Sequence, residues 1–317
     1  SPKIKKAIDF AYNRIFKYHT LQKAKDISYT DKLNNNLKYK FFPIKKVGIY
    51  VPANLPSTLL MNAIPAKIAG VDKIILANPR LNKKLNPAVI YAAKKLGIKE
   101  IYSIGGAQAI GSLTYIQKVD KIVGPGNIFV ARAKKEVFGE VGIDMVAGPS
   151  EVSIIGDKNS NPDWIASDLI AQAEHDIFAQ SILISDDKNL INKVNKSLKV
   201  QLKKLPKKNI AFKSLKKFGL AIFAKTKKQI VDAVNTIAPE HLEIFFHNHK
   251  EIINNIENAG SIFIGKFSPE AMGDYIAGPN HVLPTSGSAK FSSGLSVNDF
   301  LKRHSLIKIT KSGIERL

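Results

Sequence analysis

The sequence predicts an α/β protein with two lobes, each built on a parallel-rich sheet. From residue 46 onward, short runs rich in β-branched residues alternate with stretches of helical periodicity. This alternation is typical of βαβ units, in which the strands of one sheet run parallel. The chain of 317 residues is long enough for two domains of ordinary size. We therefore expect a first lobe at residues 46–147 and a second lobe at residues 148–285.

The segments outside the lobes are expected to be a helical lead, residues 1–45, and a truncated C-terminal tail, residues 286–317. The lead begins with apolar residues at the spacing of one helix face, namely Ile4, Ala7, Ile8, Ala11 and Ile15. This spacing predicts an amphipathic helix. The opening "SPKIKKAIDF" lacks the long apolar core of a signal peptide.

Each lobe should contain strands separated by helices. In the first lobe we expect strands at residues 46–51, 73–78, 100–105 and 121–126, and helices near residues 57–69, 86–96, 107–116 and 127–138. In the second lobe we expect strands at residues 150–157, 180–186, 220–225, 241–246 and 261–265, and helices near residues 161–175, 187–204, 227–237 and 249–257. The seam between the lobes should fall near residues 145–152.

Charge and cysteine content limit the class of partner. The formal net charge of +22 is compatible with a nucleic-acid surface, but the lysines are scattered and the densest stretch, residues 196–218, has little aromatic interleaving. We therefore expect no nucleic-acid partner. No apolar run is long enough for a membrane span, so we expect no membrane partner. The absence of cysteine excludes disulfides and thiolate chemistry and favours a cytoplasmic setting.

Three glycine-rich loops are candidates for ligand binding: "GGAQAIG", "GPGN" and "AGPSE". Ligands of open α/β sheets bind beyond the carboxyl ends of the strands, so we expect all three loops at that edge. None of them is a G-x-G-x-x-G fingerprint after a strand, so the sequence does not indicate a standard dinucleotide-binding loop.

The run "DLIAQAEHDIFAQ" holds the best metal-ligand candidates. Gln172 and His175 lie three residues apart on a predicted helix and would share one face. A histidine nitrogen and an amide oxygen can both bind zinc, although glutamine is an unusual ligand. The alternative interpretation is a solvated helix end.

Two further loops carry acid–base candidates. In "MGDYIAGPNHVLPT", Asp274 could be a carboxylate ligand or could cap a turn, and the Gly-Pro bend could direct His281 to the same edge. In "IAPEHLEIFF", Glu240 could activate water and His241 could transfer a proton. The alternative is that Glu240 faces solvent and His241 only begins a strand.

An ordered series of segments spans nearly the whole chain: "VGIYVP", "LPSTLLMNAIPAKIAGV", "GGAQAIG", "VDKIVGPGNIFVARAK", "IDMVAGPSEV", "ASDLIAQAEHD", "APEHLEI", "AGSIFIG", "GDYIAGPNHVLPT" and "FSSGLSVNDFLKR". In this order the segments resemble the histidinol dehydrogenase family. The resemblance implies two Rossmann-like lobes, a homodimer with one zinc ion per subunit, and NAD as hydride acceptor. The implied reaction oxidises L-histidinol through the aldehyde to L-histidine.

The resemblance also implies a role for each matching residue. It assigns Gln172, His175 and Asp274 to zinc, and Glu240 and His241 to catalysis. The substrate-binding positions would be Ser150, Gln172, His175, His241, Asp274 and His281. The NAD-binding positions would be Tyr50, Gln108 and Asn127.

The chain departs from the family pattern in three places. A segment is expected to be missing before the first helix, and the tail that would carry another zinc-ligand histidine and a substrate-binding glutamate is expected to be missing after "ITKSGIERL". The loop "VPANLPST" is shorter and poorer in glycine than the family's loop. Two alternatives stay open: a dehydrogenase of another hydroxylated substrate, and an inactive fragment or basic binding protein that keeps the fold.

Overall fold

The computed structural model describes residues 1–206, 208–247 and 249–316. These residues form two compact units. The first unit comprises Ser1–Val146, Tyr275–Val282 and Leu295–Leu317, and the second comprises Ala147–Asp274 and Leu283–Gly294. The segment 275–282, expected in the second lobe, therefore belongs to the first unit, and the tail is divided between the two.

The strands and helices follow one another along the chain in the expected alternation. The strands are β1 (Ile27–Thr30), β2 (Asn36–Pro43), β3 (Lys46–Tyr50), β4 (Lys73–Ala77), β5 (Glu100–Tyr102), β6 (Lys121–Val123), β7 (Gly142–Ile143), β8 (Glu151–Gly156), β9 (Gln180–Ser185), β10 (Gly219–Phe223), β11 (His241–Ile244), β12 (Ser261–Ile264) and β13 (Leu301–Lys308). The helices are α1 (Pro2–Thr20), α2 (Pro56–Ala69), α3 (Pro87–Lys95), α4 (Gly106–Gly111), α5 (Ile128–Val137), α6 (Pro162–Ala173), α7 (Lys188–Lys204), α8 (Lys208–Phe218), α9 (Lys227–Ile237), α10 (Lys250–Ile253), α11 (Glu270–Tyr275) and α12 (Lys311–Ile314). A π-helix, Ser112–Ile116, directly continues α4.

The first unit is built on a five-stranded parallel sheet in the order β5-β4-β3-β6-β7. Successive side chains of a strand point to opposite faces, and both faces of this sheet are buried. Val47 and Ile49 of β3 pack into a core with α1, α2 and α3. Tyr50 packs on the other face, in a core with α4 and α5. The sheet is therefore covered by helices on both sides, as parallel sheets generally are.

The second unit repeats this arrangement with the strand order β10-β9-β8-β11-β12, again all parallel. Every residue of the central strand β8 is buried. Val152 and Ile154 of β8 pack in a core with α6 and α7, and Ile155 packs in a second core with α9. If the strands of each parallel sheet are counted along the chain, they lie across the sheet in the order third, second, first, fourth, fifth. This is a doubly wound order.

A small antiparallel sheet in the first unit was not anticipated. It has the order β1-β2-β13, with β13 paired to β2 from Leu301↔Pro43 to Lys308↔Asn36. The lead segment is therefore helical only through Thr20, and residues 301–308 of the tail pair with it. Most residues of β1 and β13 are exposed, and β13 contains two lysines and one arginine, so these strands lack the apolar runs that predict the buried strands.

Most other element predictions agree with the structure to within a few residues. The helix predicted near residues 161–175 ends at Ala173, and the one predicted near 249–257 is reduced to α10. The helix α8 was not predicted. Among the helices in the described part of the chain, none combines the length and apolar character needed to cross a membrane.

Candidate active site

The predicted acid–base pair lies at the amino edge of the second unit's sheet. Glu240 directly precedes β11, His241 begins it, and β11 pairs with β8 so that His241 is opposite Val152. The loop "AGPSE" also leads into β8, at the same amino edge. The expectation that all three glycine-rich loops lie at a carboxyl edge is therefore wrong for "AGPSE". It holds for "GGAQAIG" and "GPGN", which follow β5 and β6 in the first unit.

The backbone at Glu240 is held in position by its neighbours. Ala238, the C-cap of α9, has a φ of 51°, in the left-handed region. Gly260 leads into the adjacent strand β12, and a Cβ atom there would lie 2.5 Å from the carbonyl oxygen of Glu240. Only glycine permits this close approach. The turn from α9 into β11 therefore presents Glu240 and His241 next to β8.

The backbone N–H and C=O of one residue, Glu151, orient both members of the pair. Glu240 Oε2 accepts a hydrogen bond from the backbone N–H of Glu151 (3.0 Å), and His241 Nδ1 lies 3.1 Å from the carbonyl oxygen of Glu151. A carbonyl oxygen can only accept, so this contact requires a proton on Nδ1. In the neutral ring Nε2 is then the basic nitrogen. Glu240 and His241 are 6% and 4% exposed, so the pair is shielded from bulk water.

Two carboxylates on α11 complete a group around His241. Glu270 Oε1 lies 3.5 Å from Nδ1 of His241, and Asp274 Oδ1 lies 3.9 Å from Nε2. Glu270 and Asp274 are four residues apart, so they share a face of α11. One donor atom from each of these three residues lies within 4.8 Å of the others, a spacing that could hold a metal ion. Carboxylate and imidazole are both zinc ligands.

Burial and mutual repulsion oppose ionisation of these carboxyls. Burial is the main cause that raises the pKa of Glu240 well above its ordinary value; the N–H of Glu151 opposes it, and the charges of Glu151 and Asp274 add to it. Burial, followed by the charges of Asp274 and Glu240, raises the pKa of Glu270 in the same way. A bound cation would favour the ionised forms, because it supplies the missing opposite charge.

Glu243 and Asp168 form a second pair of carboxyl groups, and Glu243 contacts the start of α11. Glu243 Oε1 accepts a hydrogen bond from the N–H of Glu270 (2.7 Å), at the first residue of α11. Burial and the adjacent charge of Asp168 raise the pKa of Glu243 to about 8. Since Glu243 is two residues after His241 on β11, the same strand carries the histidine and the support for the helix beside it.

The two metal-ligand candidates on "DLIAQAEHD" lie in different environments. Gln172 is 1% exposed, and neither polar atom of its side-chain amide has a hydrogen-bond partner among the described residues. A buried amide without hydrogen-bond partners lowers the stability of the fold, so the Gln172 amide is suited to act as a ligand of a metal ion. His175 is exposed in the turn after α6, where its N–H donates to the carbonyl of Gln172 (3.2 Å). The geometric group of potential ligands contains Asp274 and does not contain His175.

The remaining substrate candidates are divided between the units. Ser150 directly precedes β8, and its side chain is near enough to the carboxyl of Glu240 to oppose the rise in the pKa of that group. It therefore lies at the same amino edge as the acid–base pair. His281 belongs to the first unit, where it is half-buried.

The three NAD candidates lie at the carboxyl edge of the first unit's sheet. Tyr50 is the last residue of β3, and its hydroxyl lies 3.4 Å from the N–H of Gly106. Gln108 is exposed in the first turn of α4, and Asn127 is the N-cap of α5. The strand order reverses between β3 and β6, which is where ligands of doubly wound sheets bind.

Sequence reasoning missed Glu151, Glu243 and Glu270. Glu270 has a local signal, because it lies four residues before Asp274 in "PEAMGDY". Glu151 and Glu243 act through strand pairing and burial, which residue spacing does not reveal.

Two doubly wound units, one with a buried histidine among carboxyl groups, define an α/β protein with a candidate acid–base site. Solved structures share this fold. An acetylating aldehyde dehydrogenase from Geobacillus thermoglucosidasius aligns with a TM-score of 0.62 at 15% identity, over 96% of this chain and 82% of that chain. At this level of identity the likeness concerns the fold alone.

The chain belongs to the histidinol dehydrogenase family, and so is an oxidoreductase: the family model "Histidinol dehydrogenase" matches residues 1–317. A histidinol dehydrogenase from Pelagibacter ubique is 58% identical over 99% of this chain and 76% of its own length. Histidinol dehydrogenase 1 from Nostoc sp. is 47% identical over 100% of this chain and 75% of its own. The crystal structure of histidinol dehydrogenase from Elizabethkingia anophelis aligns with a TM-score of 0.95 at 40% identity, over 100% of this chain and 75% of that one.

Proposed function

We propose that this chain catalyses the NAD-linked oxidation of L-histidinol through the aldehyde to L-histidine. One observation carries the proposal. A buried glutamate and a buried histidine are oriented by the backbone N–H and C=O of the same residue, Glu151, in a chain of the histidinol dehydrogenase family. The two successive oxidations need a base for the alcohol proton and a group that activates water, and this pair offers both.

The second unit offers ligands that suit zinc. We assign Gln172, His175 and Asp274 to the metal, as the family resemblance implies. The buried amide of Gln172 lacks a partner among the described residues, and the crowded carboxyls favour a cation. When bound, zinc would act as a Lewis acid that anchors and orients the substrate. Glu270 is the alternative carboxylate ligand, because it belongs to the geometric group with Asp274.

The first unit offers a surface that suits NAD, which supplies the hydride acceptor when bound. We assign Tyr50, Gln108 and Asn127 to it. The support is their common location at the carboxyl edge of a doubly wound sheet, where two of the three are exposed. The loops there contain glycines, although they lack the usual dinucleotide fingerprint.

In the first oxidation, His241 would take the alcohol proton at Nε2. The Nδ1–H contact with the Glu151 carbonyl fixes the ring in the tautomer that this step needs. As the proton arrives, the ring becomes an imidazolium, and the carboxyl groups of Glu270 and Asp274 lie close enough to stabilise that charge in their ionised forms, which a bound cation would favour. Ser150 and His281 are assigned to substrate binding alongside the ligand residues.

In the second oxidation, Glu240 would take a proton from water, the resulting hydroxide would add to the aldehyde carbon, and the aldehyde oxygen would receive the proton that His241 took in the first oxidation, which gives the hydrate. The hydrate still carries one hydrogen on that carbon, and this hydrogen leaves as the second hydride while His241 takes a hydroxyl proton. Aldehyde oxidation through a thiohemiacetal needs a cysteine, and this chain has none. Water activated by a carboxylate is therefore the proposed route.

Two features of the assembly and setting complete the proposal. The family resemblance supports a homodimer, and the lack of cysteine agrees with a cytoplasmic setting. The alternative functions are a dehydrogenase of another hydroxylated substrate with the same water-based chemistry, or a fragment that keeps the fold without activity.

The test is NADH formation by the 317-residue chain after chelator treatment, with and without added zinc. We expect NADH from L-histidinol only in the samples with zinc, and none from an alcohol that lacks the imidazole ring. Equal NADH from that second alcohol would favour the alternative dehydrogenase. No NADH from L-histidinol in the presence of zinc would contradict the proposal.

A further inference from the structure

Gly124 occupies the point where the first unit's strand order reverses. It directly follows β6, beside the end of β3, and it opens the loop Gly124–Asn127 that leads into α5. Its φ is +112°, and a Cβ atom there would lie 2.1 Å from the carbonyl oxygen of Tyr50. The close approach of this backbone to Tyr50 is therefore specific to glycine.

A buried ion pair holds both polar groups of Gly124. The amine of Lys134, on α5, donates to the carbonyl oxygen of Gly124 (3.1 Å), and Asp144 Oδ2 accepts from the N–H of Gly124 (2.7 Å). Lys134 and Asp144 also bond directly to each other, and Asp144 Oδ1 accepts the N–H of Met145 (2.7 Å). The two side chains are 3% and 1% exposed.

A buried ion pair often adds little net stability to a fold. Removing two charges from water is costly, and apolar residues of similar volume often serve a core as well or better. What an apolar pair could not do is hold one N–H and one C=O in fixed directions. The pair therefore fixes the orientation of the Gly124 peptide groups and, through α5, the position of the loop's last residue, Asn127.

We propose that Lys134 and Asp144 are positioning residues for NAD: they hold the loop Gly124–Asn127 in the conformation that receives the nucleotide. This inference rests on the proposed function, which assigns Tyr50 and Asn127 to NAD. Neither Lys134 nor Asp144 has to touch the nucleotide, because both act through the backbone of Gly124.

The test compares wild type with the double variant Lys134→Met/Asp144→Leu. Replacing both charges leaves no buried charge without a partner, but the buried N–H and C=O of Gly124 lose their partners, so we expect a lower melting midpoint in a chain that still folds. We expect NADH, titrated by its fluorescence, to bind about tenfold more weakly, since small displacements of a binding loop are costly. The KM for NAD should rise, while the KM for L-histidinol stays unchanged.

Two further variants serve as controls. Lys134→Met/Asp144→Asn keeps an oxygen for the N–H of Gly124, so we expect an intermediate affinity for NADH. Asp9→Asn/Lys95→Met removes an ion pair between α1 and α3 of the same unit (2.9 Å), and we expect it to leave NADH binding unchanged.

The outcomes separate the inference from the function on which it rests. If Lys134→Met/Asp144→Leu binds NADH as tightly as wild type, the inference is overturned and the proposed function stands. If the leucine variant does not fold, wild-type affinity in Lys134→Met/Asp144→Asn overturns the inference instead. A wild-type chain that binds no NADH overturns both.

Discussion

The two units share one strand order but carry their candidate sites at opposite edges. In the first unit, the NAD candidates and the Gly124 loop lie at the carboxyl edge, as is usual for doubly wound sheets. In the second unit, Glu151, Glu240 and His241 lie at the amino edge. A repeated fold thus does not repeat its site, because the site depends on the polar residues placed around it.

The second unit's carboxyl edge carries a buried carboxylate that is bonded within the protein. Asp157 directly follows β8 and is buried. Its carboxylate accepts hydrogen bonds from the N–H of His247 (2.8 Å), the N–H of Asn159 (2.9 Å) and the hydroxyl of Ser160 (3.2 Å). At the end of β8, the oxygens of this carboxylate are therefore bonded within the protein itself.

The largest expected effect follows from His241→Asn at the amino edge. The asparagine amide can still donate to the Glu151 carbonyl, but no basic nitrogen remains to take the alcohol proton. We expect kcat to fall about a thousandfold with little change in the melting midpoint. The measurement is steady-state NADH formation from L-histidinol.

Asp157→Asn is the matched change at the opposite edge of the same sheet. It should leave kcat within about twofold while it lowers the free energy of unfolding by about 1–2 kcal/mol, because its charge-assisted hydrogen bonds are weakened. A large fall in kcat for Asp157→Asn with a stable fold would contradict the account, which places catalysis at the amino edge and gives Asp157, at the carboxyl edge, a structural role.

Zinc content distinguishes the carboxylates of α11. Asp274→Asn should lower zinc affinity about 10–100-fold, since it removes a charged ligand. Glu270→Gln should retain zinc if the assigned ligands are correct. The measurement is zinc per chain by elemental analysis after dialysis against a graded zinc buffer. Retention by Asp274→Asn together with loss by Glu270→Gln would transfer the ligand role to Glu270.

The pKa of Glu243, raised to about 8, predicts how stability depends on pH. The folded chain holds this proton more tightly than the unfolded chain. The free energy of unfolding therefore falls as the pH rises from about 4.5 to 8, and the ionisation of Glu243 does not change it below pH 4.5. Glu243→Gln keeps an acceptor for the N–H of Glu270 but removes the charge. We expect it to gain roughly 3 kcal/mol over wild type at pH 8 relative to pH 5, measured by urea unfolding. An unchanged difference between the two pH values would show that Glu243 ionises normally.

The smallest effects come from two matched helix caps, one in each unit. Asn127 caps α5 by accepting the N–H of Val130 (3.1 Å), and Asn161 caps α6 by accepting the N–H of Asp163 (2.9 Å). Alanine at either position should cost about 1 kcal/mol of stability. Only Asn127→Ala should also weaken NADH binding, and equal losses of NADH binding in both variants would remove Asn127 from the proposed NAD site.

The parallel sheets were predictable from the sequence because their strands are buried. Runs such as "KIILA" and "SEVSIIG" are apolar and β-branched, and burial on both faces requires this composition. The small antiparallel sheet was missed because β1 and β13 are exposed and carry no such pattern.

The site was predicted in part, through residues whose chemistry is visible in the sequence. Glu240, His241 and Asp274 were identified and lie close together. The residues that orient them were not, because Glu151 acts through its backbone and Glu243 through the start of α11. Such roles depend on strand pairing, which residue types alone do not specify.

The most direct test of the central claim, that the amino edge of the second unit performs both proton steps, is the NADH yield of Glu240→Gln. The glutamine oxygen can still accept the N–H of Glu151, but the amide cannot take a proton from water. With L-histidinol limiting and NAD in excess, wild type should form two NADH per substrate molecule. Glu240→Gln should form one and release the aldehyde. A yield of two from Glu240→Gln would contradict the role assigned to this residue.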